Sequence, residues 1–204
     1  MAIAIGCVLT LLLGLPLVLT HGWPVLIMGL SSLLAALAYM GGPRPIAYTP
    51  LGELVVFVFF GIVAVAGSDY VQTGGVGSTT WLAAVALGAL AASALAVNNH
   101  RDIVHDRSVG RRTFAVVFGA PASRAMYGLS VLGSFALLVP MAWQSSPALL
   151  APILLMPVAL RLQRDFVTSA PGLAYNAILV RTFKLELGFA ALLAMGAVMA
   201  RWLA

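Results

Sequence analysis

Apolar residues fill this chain in long blocks, and polar residues gather in short segments between them. Seven blocks approach the ~20 mainly apolar residues that a bilayer-spanning helix needs. They cover residues 2–19, 23–40, 51–67, 81–97, 122–141, 148–162 and 183–203. The sixth is short and contains Pro152 and Pro157, so the pattern defines its ends least sharply. Together the blocks predict an all-α integral membrane bundle of about seven transmembrane helices. No internal repeat, low-complexity tract or linker divides the chain, so residues 1–204 are expected to form a single domain.

The polar segments also predict an orientation. If Met1 starts on the cytoplasmic side, the connections at 41–50, 98–121 and 163–182 face the cytoplasm. Ten of the eleven Lys and Arg residues, all but Arg201, fall on or beside these three connections. The alternate connections, at 20–22, 68–80 and 142–147, contain none. Basic residues concentrate on cytoplasmic loops because these are the loops that are not translocated. Trp23, Trp81, Trp143 and Trp202 then all sit at the opposite interface, where aromatic belts form. The expected location is the cell inner membrane, with a multi-pass topology.

Composition agrees with the pattern. The chain is 62% hydrophobic and 8% charged, with a mean hydropathy of +1.05; a soluble domain carries about 25% charged residues. The net charge of +5 would suggest nucleic acid in a soluble protein. Here it reads as orienting charge, since no basic run is interleaved with aromatic residues. Cys7 is the single cysteine, which excludes a disulfide framework and a CxxC metal site. The first apolar block lacks the basic start and small-residue cleavage site of a signal peptide, so it reads as a permanent span.

One polar segment stands apart. Residues 98–113 read NNHRDIVHDRSVGRRT and follow directly on an uncharged block. Asn98, Asp102 and Asp106 recur every four residues, so on a helix they share one stripe. Two carboxylates one turn apart repel each other, and ionisable groups near membrane depth are costly. Positive charge must compensate, either from Arg101, Arg107, Arg111 and Arg112 or from a bound divalent cation. Two carboxylates and a side-chain amide suit Mg²⁺, which keeps waters and completes its shell with substrate phosphates. The arginines can grip phosphate oxygens through forked hydrogen bonds. A salt-bridged helix end is the bland alternative.

Other polar residues are less telling. Glu53 is the sole acid in the third block; it either pairs with Arg44 near the interface or acts as a site carboxylate. Asn176, Arg181 and Lys184 border the last basic connection, as orienting charge or as diphosphate contacts. Asp165 and Arg164 read as a surface pair, and Asp69 and Gln72 as solvated loop residues. His21, His100 and His105 lack a third ligand at zinc spacing.

The string Asn98-Asn99-x-Arg101-Asp102-x-x-x-Asp106-Arg107-x-x-Gly110-Arg111-Arg112-Thr113 resembles the second aspartate-rich motif of the UbiA superfamily of membrane prenyltransferases. Within it, the closest likeness is to the branch acting on 1,4-dihydroxy-2-naphthoate in menaquinone synthesis, with Arg111 in place of the usual Lys. A second region agrees: residues 39–48, from Tyr39 to Tyr48, then Leu51-Gly52-Glu53. Phe59-Phe60-Gly61 and residues 70–74 match as well, and Tyr175-Asn176 stands where that family commonly has Leu-Asn.

The resemblance implies that Asp102 and Asp106, with Asn98, hold Mg²⁺ and carry catalysis. It also implies that Asn98, Asn99, Arg101, Arg107, Arg111, Arg112, Tyr48, Glu53, Asn176 and Lys184 contact substrate. The implied partners are polyprenyl diphosphate, an aromatic acceptor and the lipid bilayer. The superfamily has nine helices and a first Asp-rich motif after its second helix, and neither that motif nor the first two helices has a counterpart here. A truncated form of a longer chain is the favoured explanation; a degenerate relative that has lost catalysis or needs a partner is the other. A CDP-alcohol phosphatidyltransferase would need an upstream DGxxAR, which is absent. A transporter would show midplane helix breaks or inverted repeats, and neither is clear in the sequence.

Overall fold

The computed structural model describes residues 2–169 and 172–202, and among them regular structure is helical throughout. The α-helices are α1 (Ala2–His21), α2 (Trp23–Met40), α3 (Gly52–Val56), α4 (Gly67–Thr73) and α5 (Ser78–Arg101), followed by α6 (Ile103–Ser108), α7 (Phe114–Ala136), α8 (Leu138–Gln144), α9 (Met156–Thr168) and α10 (Ala174–Trp202). Short 3₁₀ stretches occupy Ile46–Tyr48 and Pro147–Leu155, and a π-helical stretch, Phe57–Ala66, joins α3 to α4. With no water in hydrocarbon, every backbone group must bond within its own segment, which is why apolar blocks of this length become helices.

Among the described residues, five helical stretches are long and apolar enough to cross a bilayer: Trp23–Met40, Gly52–Thr73, Ser78–Arg101, Phe114–Gln144 and Ala174–Trp202. The apolar helix α1 precedes them. The protein is a multi-pass membrane bundle.

Several boundaries differ from the pattern. The sixth block is not one α-helix: Pro147 and Pro152 hold its first half in 3₁₀ form, and α9 then continues to Thr168. The expected connection at 163–182 is mostly helical, because α9 extends into it and α10 begins at Ala174. Polar residues extend a helix freely once it leaves the apolar core, so hydropathy underestimates its length. Leu203, Met1 and positions 170 and 171 of that connection lie outside the described residues. Asp69 is not a loop residue either. It sits on α4 and accepts hydrogen bonds from the Thr80 hydroxyl at 2.6 Å and the Gly77 N–H at 3.2 Å, tying α4 to the start of α5.

The core lies in the second half of the chain. Leu90 and Val97 of α5, Tyr127 and Phe135 of α7, Phe166 of α9 and Phe189 of α10 are all fully or almost fully buried in one cluster. By contrast, none of α2 is buried. The central helix α5 is rich in small residues, and the π-helical stretch packs along it. A Cβ placed on Gly61 would lie 2.5 Å from Gly88 Cα, and one on Gly88 would lie 2.6 Å from the Phe57 carbonyl oxygen. Backbones this close need glycine on both sides, the small-residue contact by which membrane helices gain packing energy.

Candidate active site

α5 ends in four polar residues, Asn98, Asn99, His100 and Arg101. Asp102 interrupts the helix with φ −97° and ψ 9°, and α6 follows. Backbone bonds still bridge the break: the Asp102 N–H donates to the Asn98 carbonyl at 3.2 Å, and the Asp106 N–H to the Asp102 carbonyl at 2.8 Å. The four-residue register expected for Asn98, Asp102 and Asp106 therefore survives the interruption.

Arg101 is the hub of this end. Its Nε and Nη2 donate to the two Asp102 oxygens at 2.8 and 2.7 Å, Nη2 also to Asn98 Oδ1 at 2.7 Å, and Nη1 to Asn176 Oδ1 at 2.6 Å. A forked, charge-assisted pair of this kind is both strong and directional. It holds the Asp102 carboxyl below the usual carboxylate range, so this group is ionised throughout the neutral pH region. Asp102 nonetheless keeps 32% of its side-chain surface exposed. Through Asn176, the same arginine ties α5 to the first turn of α10.

A second cluster forms around Asp106, which is buried. Arg111 Nη1 donates to Asp106 Oδ1 at 3.2 Å, and the Arg111 N–H to the Asp106 carbonyl at 2.8 Å. Gly110, at φ 77°, makes this return possible; a left-handed residue after a helix is where glycine is favoured. The Arg111 guanidinium also lies 4.3 Å above the Tyr48 ring and donates to its hydroxyl at 3.4 Å. The Arg112 N–H donates to the Tyr48 carbonyl at 2.9 Å. The turn between α2 and α3 is thereby fastened to the motif.

Glu53 and Asn99 make a third contact. Asn99 Nδ2 donates to Glu53 Oε1 at 2.8 Å, and both residues are buried. The alternative pairing of Glu53 with Arg44 is not formed. Nor is the expected Asp165–Arg164 pair: Arg181 Nη1 reaches Asp165 Oδ2 at 2.6 Å instead, because these residues come together between α9 and α10. Arg107, Arg112 and Lys184 are exposed and have no ion-pair partner among the described residues. His100 is buried against Phe166 and Tyr175, with ring centroids 4.8 and 5.1 Å away, a packing role that its sequence neighbours did not signal.

Asn99→Ala is expected to destabilise the fold. Leaving a buried acceptor unpaired costs about 1–3 kcal/mol, and Glu53 Oε1 has no other partner. Thermal unfolding in detergent checks this. The loss should shrink when Glu53→Gln is added, and equal losses in the single and double variants would rule out the coupling.

Below the polar residues, a groove of about 660 Å³ opens between α5, α10 and the segment formed by α3 and the π-helical stretch. Asn98 stands in its lining, so the groove reaches the residue that Arg101 holds. Apart from Asn98 and Glu186, its described lining is apolar.

Among the described residues, no group of three or more His, Cys, Asp or Glu is placed to hold a metal ion. A cation here would rely on Asp102, Asp106, the Asn98 amide, water and substrate phosphate. That oxygen set fits Mg²⁺, which rarely has an all-protein cage.

Comparison with known proteins bears directly on this arrangement. The sequence profile of the UbiA prenyltransferase family matches residues 1–185. The chain belongs to this family. It is 37% identical over 158 residues to "1,4-dihydroxy-2-naphthoate octaprenyltransferase" of Mycobacterium tuberculosis, covering 76% of this chain and 53% of that protein. With the Escherichia coli protein of the same name it is 33% identical over 181 residues, covering 88% and 59%. A Xenopus tropicalis "UbiA prenyltransferase domain-containing protein 1" is 34% identical over 159 residues, covering 78% and 44%. The chain thus spans roughly half the length of the curated relatives it matches.

Proposed function

We propose that this chain takes part in transferring a polyprenyl group from polyprenyl diphosphate to 1,4-dihydroxy-2-naphthoate. The observation that carries the reading is the Arg101–Asp102–Asn98 cluster at the end of an apolar groove. Such a groove accepts a prenyl tail and keeps water away, and the charged end suits its diphosphate.

In this reading Asp102, Asp106 and Asn98 would hold Mg²⁺, which when bound neutralises diphosphate and favours its departure as a Lewis acid. Arg107 and Arg112 are free to take phosphate oxygens directly, and Arg101 and Arg111 to share theirs as substrate charge arrives. Tyr48 and Asn176 position Arg111 and Arg101. Asn99 and Glu53 brace the end of α5, and Lys184, about two turns along α10 from Asn176, adds positive charge. The allylic C–O bond breaks with its electron pair leaving on diphosphate. A C–C bond then forms at the ring carbon bearing the carboxylate, and that carboxylate leaves as CO₂, its bonding pair restoring aromaticity. The apolar walls shield the allylic cation from water.

The reading places the site on the cytoplasmic face of the inner membrane. Transfer to another aromatic acceptor is the second reading, favoured by relatives whose name specifies only the prenyltransferase domain. Membranes carrying the chain should convert 1,4-dihydroxy-2-naphthoate and a polyprenyl diphosphate to the prenylated, decarboxylated product, and EDTA should stop this. Product no greater than in membranes lacking the chain would sink the reading.

A further inference from the structure

We propose that Glu186 is a binding residue for the aromatic acceptor, its carboxyl accepting a hydrogen bond from a ring hydroxyl inside the groove between α5 and α10. The inference rests on the prenyl-transfer reading and assigns a role to a residue that reading leaves unused.

Glu186 lies near the middle of α10 and lines the groove with Leu179, Phe183 and Leu187. This spacing of three and four residues marks one helical face. Among the described residues Glu186 has no ion-pair partner. Lys184, the nearest cation in sequence, is two positions away and so on a different face. An unpaired carboxyl at this depth is expensive for an apolar span, and intramembrane acids are retained where they meet a ligand or a partner.

The surroundings narrow the ligand. The prenyl tail that enters this groove has no polar atom to offer a carboxyl, so the complementary group belongs to the acceptor that must meet the tail's reacting end there. Phe60 and Phe183, also in the groove lining, keep 67% and 54% of their surface uncovered. Such rings stack on a planar aromatic ligand. Two aromatic faces with a carboxyl select a hydroxylated ring, and the same carboxyl when ionised repels a carboxylate. The acceptor therefore presents hydroxyl, not carboxylate, to Glu186. Side chains on a helix lean toward its N-terminus, so this carboxyl leans toward the Asn176 end, where Arg101 holds Asp102.

The test uses the full chain in lipid nanodiscs, with 1,4-dihydroxy-2-naphthoate and a polyprenyl diphosphate as substrates. Glu186→Leu should raise the KM for the naphthoate about tenfold or more, the scale of one hydrogen bond to a charged group. The KM for the diphosphate should not move, and Glu186→Gln, which keeps a carbonyl acceptor, should recover part of the loss. If Glu186→Leu is not monodisperse, Glu186→Gln and Glu186→Met carry the comparison. An unchanged naphthoate KM in an active chain overturns the role of Glu186 and leaves prenyl transfer standing. A wild-type chain that transfers nothing overturns the prenyl-transfer reading, and this inference falls with it.

Discussion

Asp102→Asn should reduce prenyl transfer by at least about a hundredfold, while leaving the protein folded. Asp102 is the more exposed of the two motif carboxylates and remains ionised because Arg101 grips both its oxygens. The substitution keeps the shape and removes the charge. A hundredfold loss corresponds to about 2.7 kcal/mol of barrier. A partly exposed ion pair contributes about 0–1 kcal/mol to stability, too little to produce that loss through unfolding. Arg101 would still hold Asn98 and Asn176, so the hub stays assembled. Transfer rates and melting temperature measured on one preparation separate the two effects. Near-normal turnover with Asn at this position would remove Asp102 from the mechanism.

Gly88→Leu should strongly destabilise the fold. The atoms a side chain would meet at Gly88 include the Phe57 carbonyl oxygen at 2.6 Å and Gly61 Cα at 2.9 Å, both backbone. A flexible side chain could swing aside, but a helix backbone must move as a unit. Overpacking of an interior typically costs about 1–3 kcal/mol, and this contact belongs at or above the top of that range. Separation of α5 from the π-helical stretch would also spread the groove, whose walls these two segments share. Gly133→Ala is the matched control. It lies in α7 with nothing within 4 Å of a new Cβ, so it should be neutral or raise the melting temperature; alanine in a helix gains roughly 0.5–1 kcal/mol over glycine. Equal melting temperatures for Gly88→Leu and wild type would refute the close crossing.

Much of this protein is legible without coordinates, for identifiable reasons. Apolar blocks must become helices in lipid, so an all-helical membrane bundle could be read, although five stretches among the described residues, against seven blocks, are long and apolar enough to cross. The four-residue spacing of Asn98, Asp102 and Asp106 put them in one register, and the backbone keeps it even though Asp102 breaks the helix. The π-helical stretch was invisible, because a uniformly apolar run looks the same whichever carbonyl each N–H selects. Pairings across helices were invisible too. Asp165 was matched to its sequence neighbour Arg164, yet its partner Arg181 is on the next helix. Nor does any linear pattern show that α10 turns Glu186 into the groove that Asn98 also lines.

The segment 98–113 by itself determined where the polar side chains gather and in what register: acids, amides and arginines at helical spacing beside an uncharged block. Local spacing decides such things because it is set by the helix alone. Only the tertiary structure decided how those groups are held, with Arg101 bridging to Asn176 on α10 and Arg111 pinned under Tyr48 from the turn after α2. Those contacts join residues 75 and 63 positions apart. They depend on how close neighbouring helices can approach, which at Gly61 and Gly88 is a matter of a missing Cβ on each side.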